Sequence, residues 1–266
     1  MQRTRVGNVD VIALVDAVRA YPAPNVYPKA GDAISRFSSY LGAGGELAMN
    51  FGCFVVRDGS TTVLVDCGLG PEAQGQLVNE LCAAGVSHDS INLVAFTHLH
   101  GDHTGWNLDR ATGQPLFPRA RYLVPRGDWD HYSSQDPQPA SFKRDVAPLA
   151  PLGTLELIDG ERVLSQAITA HPSPGHTPGH TSYLIVSGAA RGCILGDVVI
   201  SPIDTAEPGW PNTFDWNADI ARATRVRMLD RLATEGATVG GSHLPSPGLG
   251  RFIKAGASHS WEPLAP

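Results

Sequence analysis

Four side chains that can bind a metal ion stand within six positions, directly after the apolar run formed by residues 92–97. They are His98, His100, Asp102 and His103, in an HxHxDH pattern. His98 and His100 lie two residues apart, so on an extended segment both imidazoles leave the same side and can share one ion. Gly101 permits a sharp turn that brings Asp102 and His103 round to face a second ion. The pattern predicts a metal site at the end of a buried strand.

Two coordination spheres need more ligands than this cluster offers, and three later segments contain suitable ones. His176 stands in a turn that is rich in glycine and proline, residues 174–180. Asp197 ends an apolar strand, where a carboxylate is costly to bury unless it is paired or bound to a metal. His243 follows two glycines at the end of another predicted strand. Each is a polar side chain at the end of an element, as in the first cluster.

Together these residues resemble the metallo-β-lactamase-fold hydrolases, and the resemblance extends from residue 66 to residue 243. It implies an α/β (α+β) fold, a four-layer αββα sandwich with a dinuclear site at one edge between the sheets. His98, His100 and His176 would hold the first metal, Asp102, His103 and His243 the second, and Asp197 would bridge them. Asp66 matches an aspartate that orients a ligand imidazole from outside the metal shell.

Two other residues near the motifs receive plainer interpretations. Cys67 stands where the family usually carries threonine or serine, and a packed thiol is favoured over a metal ligand. His180 corresponds to a histidine that the family usually uses as a hydrogen-bonded structural residue. The cysteines form no CxxC pair, so we expect four reduced and mostly buried thiols.

The expected cofactor is a pair of divalent ions, with zinc the first candidate and manganese, iron or cobalt as alternatives. Such a pair lowers the pKa of a shared water, so that a hydroxide attacks a carbonyl or phosphoryl centre near neutral pH. Asp102 is the predicted catalytic residue, which would orient this nucleophile and pass a proton to the leaving group.

The substrate class depends on two further segments. Residues 243–250 are similar to the HLxFPGxG stretch of methyl parathion hydrolase-like members, which act on phosphotriesters and aryl esters. Ile200 stands where N-acyl-homoserine lactonases of this fold carry a tyrosine. We therefore predict a hydrolase of small esters, lactones or phosphotriesters. The alternatives are an N-acyl-homoserine lactonase, a β-lactamase-like amide hydrolase and, outside hydrolysis, an iron-dependent sulfur dioxygenase.

Positioning these residues requires many short strands and a few helices. Helical patterns cover residues 71–84 and 218–235, the second with an apolar stripe that includes Ile220, Val226 and Leu229. This mixture favours sheets covered by helices. Runs of β-forming residues between glycine and proline predict strands at 9–15, 51–57, 61–66, 92–97, 121–124, 154–158, 167–170, 182–186, 193–195 and 238–241.

Two long segments, residues 21–50 and 127–151, are predicted to contain little regular structure. We expect the first to form one wall of a substrate pocket, with Phe37 or Tyr40 reaching the cleft. Trp106 is a third predicted substrate contact. The same segment is predicted to contribute to a subunit contact if the protein is a homodimer.

Composition narrows the class of partner. The 266 residues include 20 Lys and Arg and 26 Asp and Glu, which gives a formal net charge of −6. This negative charge disfavours nucleic acid as a binding partner. The first residues lack a signal-peptide pattern, and no apolar run is long enough to span a membrane. We expect a single domain, residues 1–266, that acts on a small molecule in the cytoplasm, with no nucleic-acid or membrane partner.

Overall fold

A computed structural model describes residues 1–256 and 258–265. Within these residues, the strands form two seven-stranded sheets, in the orders β1-β2-β3-β4-β5-β6-β7 and β14-β13-β12-β11-β10-β9-β8. The strands are β1 Gln2–Val6, β2 Val9–Pro22, β3 Glu46–Asp58, β4 Thr61–Val65, β5 Leu93–Ala95, β6 Arg121–Pro125, β7 Leu155–Ile158, β8 Arg162–Val163, β9 Ile168–Pro172, β10 Thr181–Ser187, β11 Ala190–Ile194, β12 Thr238–Gly240, β13 Leu249–Ala255 and β14 Ser258–Pro263.

Helices cover the outer faces of both sheets. The α-helices are α1 Ala23–Val26, α2 Leu77–Ala83, α3 Gly101–Thr104, α4 Arg126–Ser133, α5 Pro202–Ala206 and α6 Ala218–Thr234. The 3-10 helices are Gly31–Tyr40, Pro71–Ala73, His88–Ser90, Ala147–Leu149 and Gly196–Val198, and Phe142–Val146 forms a π-helical turn. α2 packs on the outer face of the first sheet and α6 on that of the second. The predicted αββα sandwich is confirmed.

The strands of the first sheet alternate their side chains between two cores, as the twofold periodicity of a strand requires. In β2, Ile12 and Leu14 point outward to the core under α2, whereas Val11 and Ala13 point inward to the second sheet. Phe54 of β3 also points inward, and it is fully buried between the sheets. A strand with apolar residues on both faces is therefore covered on both sides.

Parallel pairing creates one edge where polar side chains can meet. β4, β5, β6 and β7 pair in parallel in the first sheet, and β11 pairs in parallel with β12 in the second. Because the carboxyl ends of parallel neighbours lie at the same edge, loops that follow them converge there. The residues that follow β5, β11 and β12 include every predicted ligand except His176, which follows β9.

The predicted helices need two corrections. The helix expected over residues 71–84 is broken, because Gln74 adopts a left-handed φ of +58° and the chain turns before α2 begins. In α6, Ile220 and Val226 are exposed, although they were assigned to the apolar stripe. Leu229 is buried as predicted, and the buried face also carries Met228 and the unexpected Arg225.

The expectation of two irregular segments is also wrong. Residues 21–50 contain the end of β2, α1, a 3-10 helix and the start of β3, because the two strands pair as far as Pro22 and Glu46. Residues 127–151 are largely helical. Four strands were not predicted: β1, β8, β13 and β14. Of the cysteines, Cys82 is exposed and the other three are buried and free, as expected.

Candidate metal centre

The structure brings all seven predicted ligands to one edge of the sandwich. Asp197 lies in the 3-10 turn that follows β11, and His243 follows β12. His98 and His100 follow β5, and α3 begins at Gly101 and carries Asp102 and His103. His176 enters from the loop between β9 and β10. Neither sheet alone supplies the complete set.

The tight turn after His100 depends on packing at Gly101. The glycine begins a helical turn and has no left-handed φ, so the conformational freedom expected of it is not used. A Cβ at this position would lie 2.9 Å from Cβ of Ser141, which is closer than carbon atoms approach. Glycine therefore lets the π-helical segment that follows Ser141 close over the motif.

Three groups of ligand atoms lie close enough to share an ion. Within each group, the ligand atoms are within 4.8 Å of one another. The groups are His98, His100 and His176; His98, His103 and Asp197; and Asp102, His103 and His243. The first and third reproduce the two ligand sets that the sequence resemblance implies.

Asp197 lies between those two sets. Its Oδ2 is 3.8 Å from Nε2 of His98, 3.3 Å from Nε2 of His176, 3.5 Å from Nε2 of His103 and 3.0 Å from Nε2 of His243. Within the described residues, its Oδ1 is buried without a hydrogen-bond partner. A buried carboxylate oxygen without a donor is costly, and a cation at the cluster would satisfy it.

Hydrogen bonds outside the cluster fix the tautomers of His98 and His103. The Thr97 hydroxyl donates to Asp66 Oδ2 over 2.8 Å, so its oxygen is left to accept from Nδ1–H of His98 at 3.0 Å. Asp66 Oδ2 also accepts from Nδ1–H of His103 at 2.8 Å. Both imidazoles therefore present an unprotonated Nε2 to the cluster when they are neutral.

The same arrangement recurs at the other two histidines that use Nε2. Nδ1–H of His243 donates to the backbone carbonyl of Asn50 over 2.7 Å, and Nδ1–H of His176 donates to Asp215 Oδ1 over 3.2 Å. At His100 it is Nδ1, and not Nε2, that faces the cluster, and this atom lies 2.9 Å from Nε2 of His98. When all five imidazoles are neutral, five nitrogen lone pairs thus converge, and the donor set of imidazoles and carboxylates fits a divalent metal.

The charges of the metal-free cluster follow from burial and proximity. Burial lowers the pKa of His98, and the neighbouring His103 lowers it further. Burial also lowers the pKa of His100, to about 4. Burial lowers the pKa of His243, but the negative charges of Asp197 and Asp102 outweigh burial and raise this pKa to about 10. His103 has a raised pKa because Asp197, Asp102 and Asp66 outweigh its burial.

Three residues that support the ligands were missed by sequence reasoning. Asp128, at the start of α4, accepts from the Leu99 N–H at 3.0 Å, the Thr177 hydroxyl at 2.9 Å and the Gly179 N–H at 2.6 Å. It thereby joins the HxHxDH loop to the loop of His176. The other two residues are Asp215 and Arg225. The signal that could have identified Arg225 is an arginine within the buried face of α6.

His180 is hydrogen-bonded, as expected for a structural residue. The backbone N–H of Asp197 donates to its Nε2 over 3.0 Å, so the proton lies on Nδ1, which faces Ser173 Oγ at 2.9 Å. Burial lowers the pKa of His180 to about 3. It therefore orients the backbone of Asp197 as a neutral acceptor.

A cleft of about 550 Å³ opens onto the cluster. Phe37, Tyr40 and Trp106 are not among the described residues that line it. Phe37 packs edge-on against Trp210 at 5.7 Å, Tyr40 is exposed on the 3-10 helix, and Trp106 Nε1 donates to Asp16 over 2.9 Å. The lining residues are Tyr21, Met49, Phe51, Leu69, His100, Gly101, Asp102, Arg144, His176, Asp197, Ile200, Phe214 and His243.

The geometry agrees with a sequence comparison. The model of the metallo-beta-lactamase superfamily matches residues 53–235. The chain belongs to this superfamily. Membership confirms the predicted family and, with the His and Asp cluster, supports a metal-dependent hydrolase. Within the described residues, no helix is both long enough and apolar enough to cross a membrane.

Curated relatives of this superfamily member come from bacteria and animals. The uncharacterized protein YobT of Bacillus subtilis is 28% identical over 208 residues, which cover 73% of this chain and 84% of YobT. The human metallo-beta-lactamase domain-containing protein 1 is 30% identical over 188 residues, 70% of this chain and 58% of the human protein.

Solved structures share the whole fold. AidC, described as a dizinc quorum-quenching lactonase, has a TM-score of 0.88 at 24% identity and covers 100% of this chain and 97% of its own. The hydrolase AbOPH has a TM-score of 0.86 at 24% identity, over 99% of this chain and 97% of its own. A probable metal-dependent hydrolase from Staphylococcus aureus has a TM-score of 0.84 at 15% identity, over 99% of both chains.

Proposed function

We propose that this protein is a dinuclear metal-dependent hydrolase that cleaves small neutral esters, lactones or phosphotriesters. The observation that carries the proposal is the position of Asp197, whose Oδ2 lies within 3.8 Å of an Nε2 atom from both ligand sets. A carboxylate between two sets of ligand side chains suits two cations that share one anionic ligand. A mononuclear site would leave one set of ligand atoms without an ion.

One ion would be held by His98, His100 and His176, and the other by Asp102, His103 and His243. Asp197 would contribute to both. Zinc is the first candidate, because imidazole and carboxylate ligands suit it. When bound, such an ion pair supplies a hydroxide nucleophile and polarises the oxygen of the bond to be cleaved. The protein's own contribution is to hold the ligands and to manage the proton that the leaving group needs.

Asp102 is the carboxylate best placed for that proton transfer. Its side chain lines the cleft and keeps 24% of its surface exposed, whereas those of Asp197 and Asp66 keep 3% and 1%. Asp102 Oδ2 lies 3.4 Å from Nε2 of His243 and 3.5 Å from Nε2 of His103. We propose that Asp102 orients the nucleophile and passes its proton to the departing oxygen.

The walls of the cleft favour a neutral substrate with an apolar group. Phe51 and Met49 of β3 form one side, with Ile200 and Phe214 also at the cleft surface. Arg144 also lines the cleft, and two of its nitrogens already donate to Asp145 over 2.8 Å. Apolar walls over a polar floor suit aryl or alkyl esters, whose scissile carbonyl or phosphoryl oxygen would face the metals.

N-acyl-homoserine lactone hydrolysis is the second candidate. It is favoured by the overall similarity to AidC, whose structure contains a product, N-hexanoyl-L-homoserine. Against it stands Ile200, which lines the cleft where lactonases of this fold carry tyrosine. The aliphatic side chain offers no hydroxyl to a lactone ring, so we rank esters and phosphotriesters first.

Metal analysis combined with substitution of the bridging residue tests the dinuclear proposal. Wild-type protein reloaded with zinc should contain two ions per chain by elemental analysis, and Asp197→Ala should lose both zinc and turnover by orders of magnitude. Asp159→Ala is the matched control, since this side chain is 81% exposed and lies outside the cleft. One ion per wild-type chain, or near-normal turnover of Asp197→Ala, would contradict the proposal.

A substrate panel tests the proposed bond type. Zinc-loaded protein should hydrolyse aryl esters or phosphotriesters with the highest kcat/KM, compared with simple lactones, N-acyl-homoserine lactones and β-lactams. A preference for N-acyl-homoserine lactones would favour the second candidate. Activity on β-lactams alone would contradict both.

A further inference from the structure

Arg225 is the largest of the fully buried side chains in the described residues, and it lies in the middle of α6. Its side chain is 1% exposed. Nη2 contacts Asp215 Oδ2 at 3.0 Å, and Nε donates to the carbonyl of Val198 over 2.8 Å. Nη1 reaches the carbonyls of Pro208 and Trp210 at 3.3 and 3.4 Å. The guanidinium therefore has partners on three sides.

A buried cation in this setting is unexpected from helix packing alone. Methionine or leucine would fill the face of α6 without the desolvation cost of a guanidinium. The planar arginine head can donate in several fixed directions at once, which a lysine ammonium on a flexible stem does not reproduce. The four contacts use that property, because they go to separate points on the segments 198 and 208–215.

Two of these contacts lead to candidate metal ligands, and the other two lead to a segment that reaches the cleft. Asp215 accepts from Arg225 with one oxygen and from Nδ1–H of His176 with the other. Val198 directly follows Asp197, so holding the Val198 carbonyl also fixes the backbone of the bridging residue. The segment tied through Pro208 and Trp210 continues to Phe214, which lines the cleft.

The backbone reinforces the same connection. The Trp216 N–H donates to the carbonyl of His176 over 2.9 Å, and the Asn217 N–H donates to that of Gly175 over 3.0 Å. The loop of His176 and the segment before α6 are thus bound together by two backbone hydrogen bonds and by the Asp215 carboxylate.

We propose that Arg225 is a positioning residue that joins metal binding to the order of residues 208–216, called here the cleft wall because Phe214 among them lines the cleft. Through Asp215 it aligns His176, through Val198 it holds Asp197, and through Pro208 and Trp210 it fixes the wall that carries Phe214. This inference rests on the proposed metal function. Because coupling between two sites is reciprocal, bound metal should in turn stabilise residues 208–216.

The test uses Arg225→Met and Arg225→Lys, with Arg222→Met as the control. Arg222 is exposed on the same helix. Zinc affinity is measured by competition with a chromophoric chelator, the geometry at the metals by the visible absorption of Co²⁺-substituted protein, and wall order by hydrogen exchange of residues 208–216 with and without zinc.

Arg225→Met should bind zinc about 100-fold more weakly and Arg225→Lys about 10-fold more weakly, the range found when residues that orient metal ligands are lost. Zinc should slow exchange of residues 208–216 in wild type and in Arg222→Met, and should do so much less in both Arg225 variants. The Co²⁺ spectrum of Arg225→Lys should shift relative to wild type.

If Arg225→Met fails to fold, Arg225→Lys decides, because it keeps the positive charge beside Asp215. The role of Arg225 would be overturned if Arg225→Lys matched wild type in zinc affinity, hydrogen exchange and Co²⁺ spectrum. That result would leave the proposed metal centre in place. A wild-type protein that binds no zinc would overturn the proposed function itself.

Discussion

Asp66 Oδ2 lies 2.8 Å from Nδ1 of His103, and the backbone of Asp66 adopts a left-handed φ of +63°. Its other oxygen accepts from the Thr97 N–H at 2.8 Å, so the carboxylate joins the end of β4 to the end of β5. A non-glycine residue in this region of φ is strained, and aspartate and asparagine tolerate it best. The strained position places a negative charge directly behind a predicted metal ligand.

Asp66→Asn should weaken metal binding without disturbing the turn. Asparagine tolerates the positive φ and can still accept hydrogen bonds, but it removes the charge that supports His103. We expect zinc affinity to fall by ~10–100-fold, the usual cost of losing a partner of a metal-binding histidine. Asp10→Asn, at an exposed ion pair on the surface, is the control. Unchanged zinc affinity in Asp66→Asn would show that this carboxylate serves only the backbone.

Zinc binding to the metal-free protein should release protons. In the metal-free cluster the pKa of His243 is raised to about 10 and that of His103 is also raised, so both are protonated at pH 7. A histidine must be neutral to bind a metal, so each of the two loses a proton on binding. Apparent zinc affinity should therefore rise as the pH is increased from 6 to 9.

Calorimetry at pH 7 in two buffers with different ionisation enthalpies measures this release. Asp102 and Asp197 add no protons, because the neighbouring histidines outweigh their burial and lower the pKa of both carboxyls. Equal heats in the two buffers would contradict the assignment of charge to His103 and His243.

Ile200→Tyr should change the ranking of substrates. The side chain of Ile200 lines the cleft beside the metal cluster. A tyrosine there would add a hydroxyl within reach of a lactone carbonyl, so kcat/KM for N-acyl-homoserine lactones should rise relative to that for aryl esters. Ile200→Phe is the matched control, since it adds the ring without the hydroxyl. Equal effects of the two substitutions on kcat/KM would show that the size of the side chain, and not its hydrogen bond, sets the substrate preference.

Phe54→Ala should lower the free energy of unfolding by about 3–5 kcal/mol, the range for removing a fully buried phenylalanine. Its ring fills the space between the sheets so closely that a Cβ on Gly240 would lie 2.7 Å from its Cε1. Urea denaturation of metal-loaded protein measures the loss. The control Val163→Ala, at a side chain that is 69% exposed, should stay within about 0.5 kcal/mol of wild type.

The amino-acid sequence by itself determined the fold class and was enough to predict the candidate metal ligands. His98, His100, Asp102 and His103 were predictable because their spacing is local, and the apolar run before them defines a buried strand. Asp197 and His243 were predictable because each polar side chain ends an apolar run. Alternation and turn residues were enough to locate most strands near the site.

Only the tertiary structure decided what supports those ligands and what lines the cleft. Asp215, 39 positions from His176, and the carbonyl of Asn50, 193 positions from His243, carry no local signal. Tyr21 and Met49 reach the cleft because β2 and β3 continue to pair past the point where the sequence predicts an irregular segment. Hydrogen bonds between distant segments and the length of strand pairing depend on how the two sheets pack, and spacing along the chain does not contain that information.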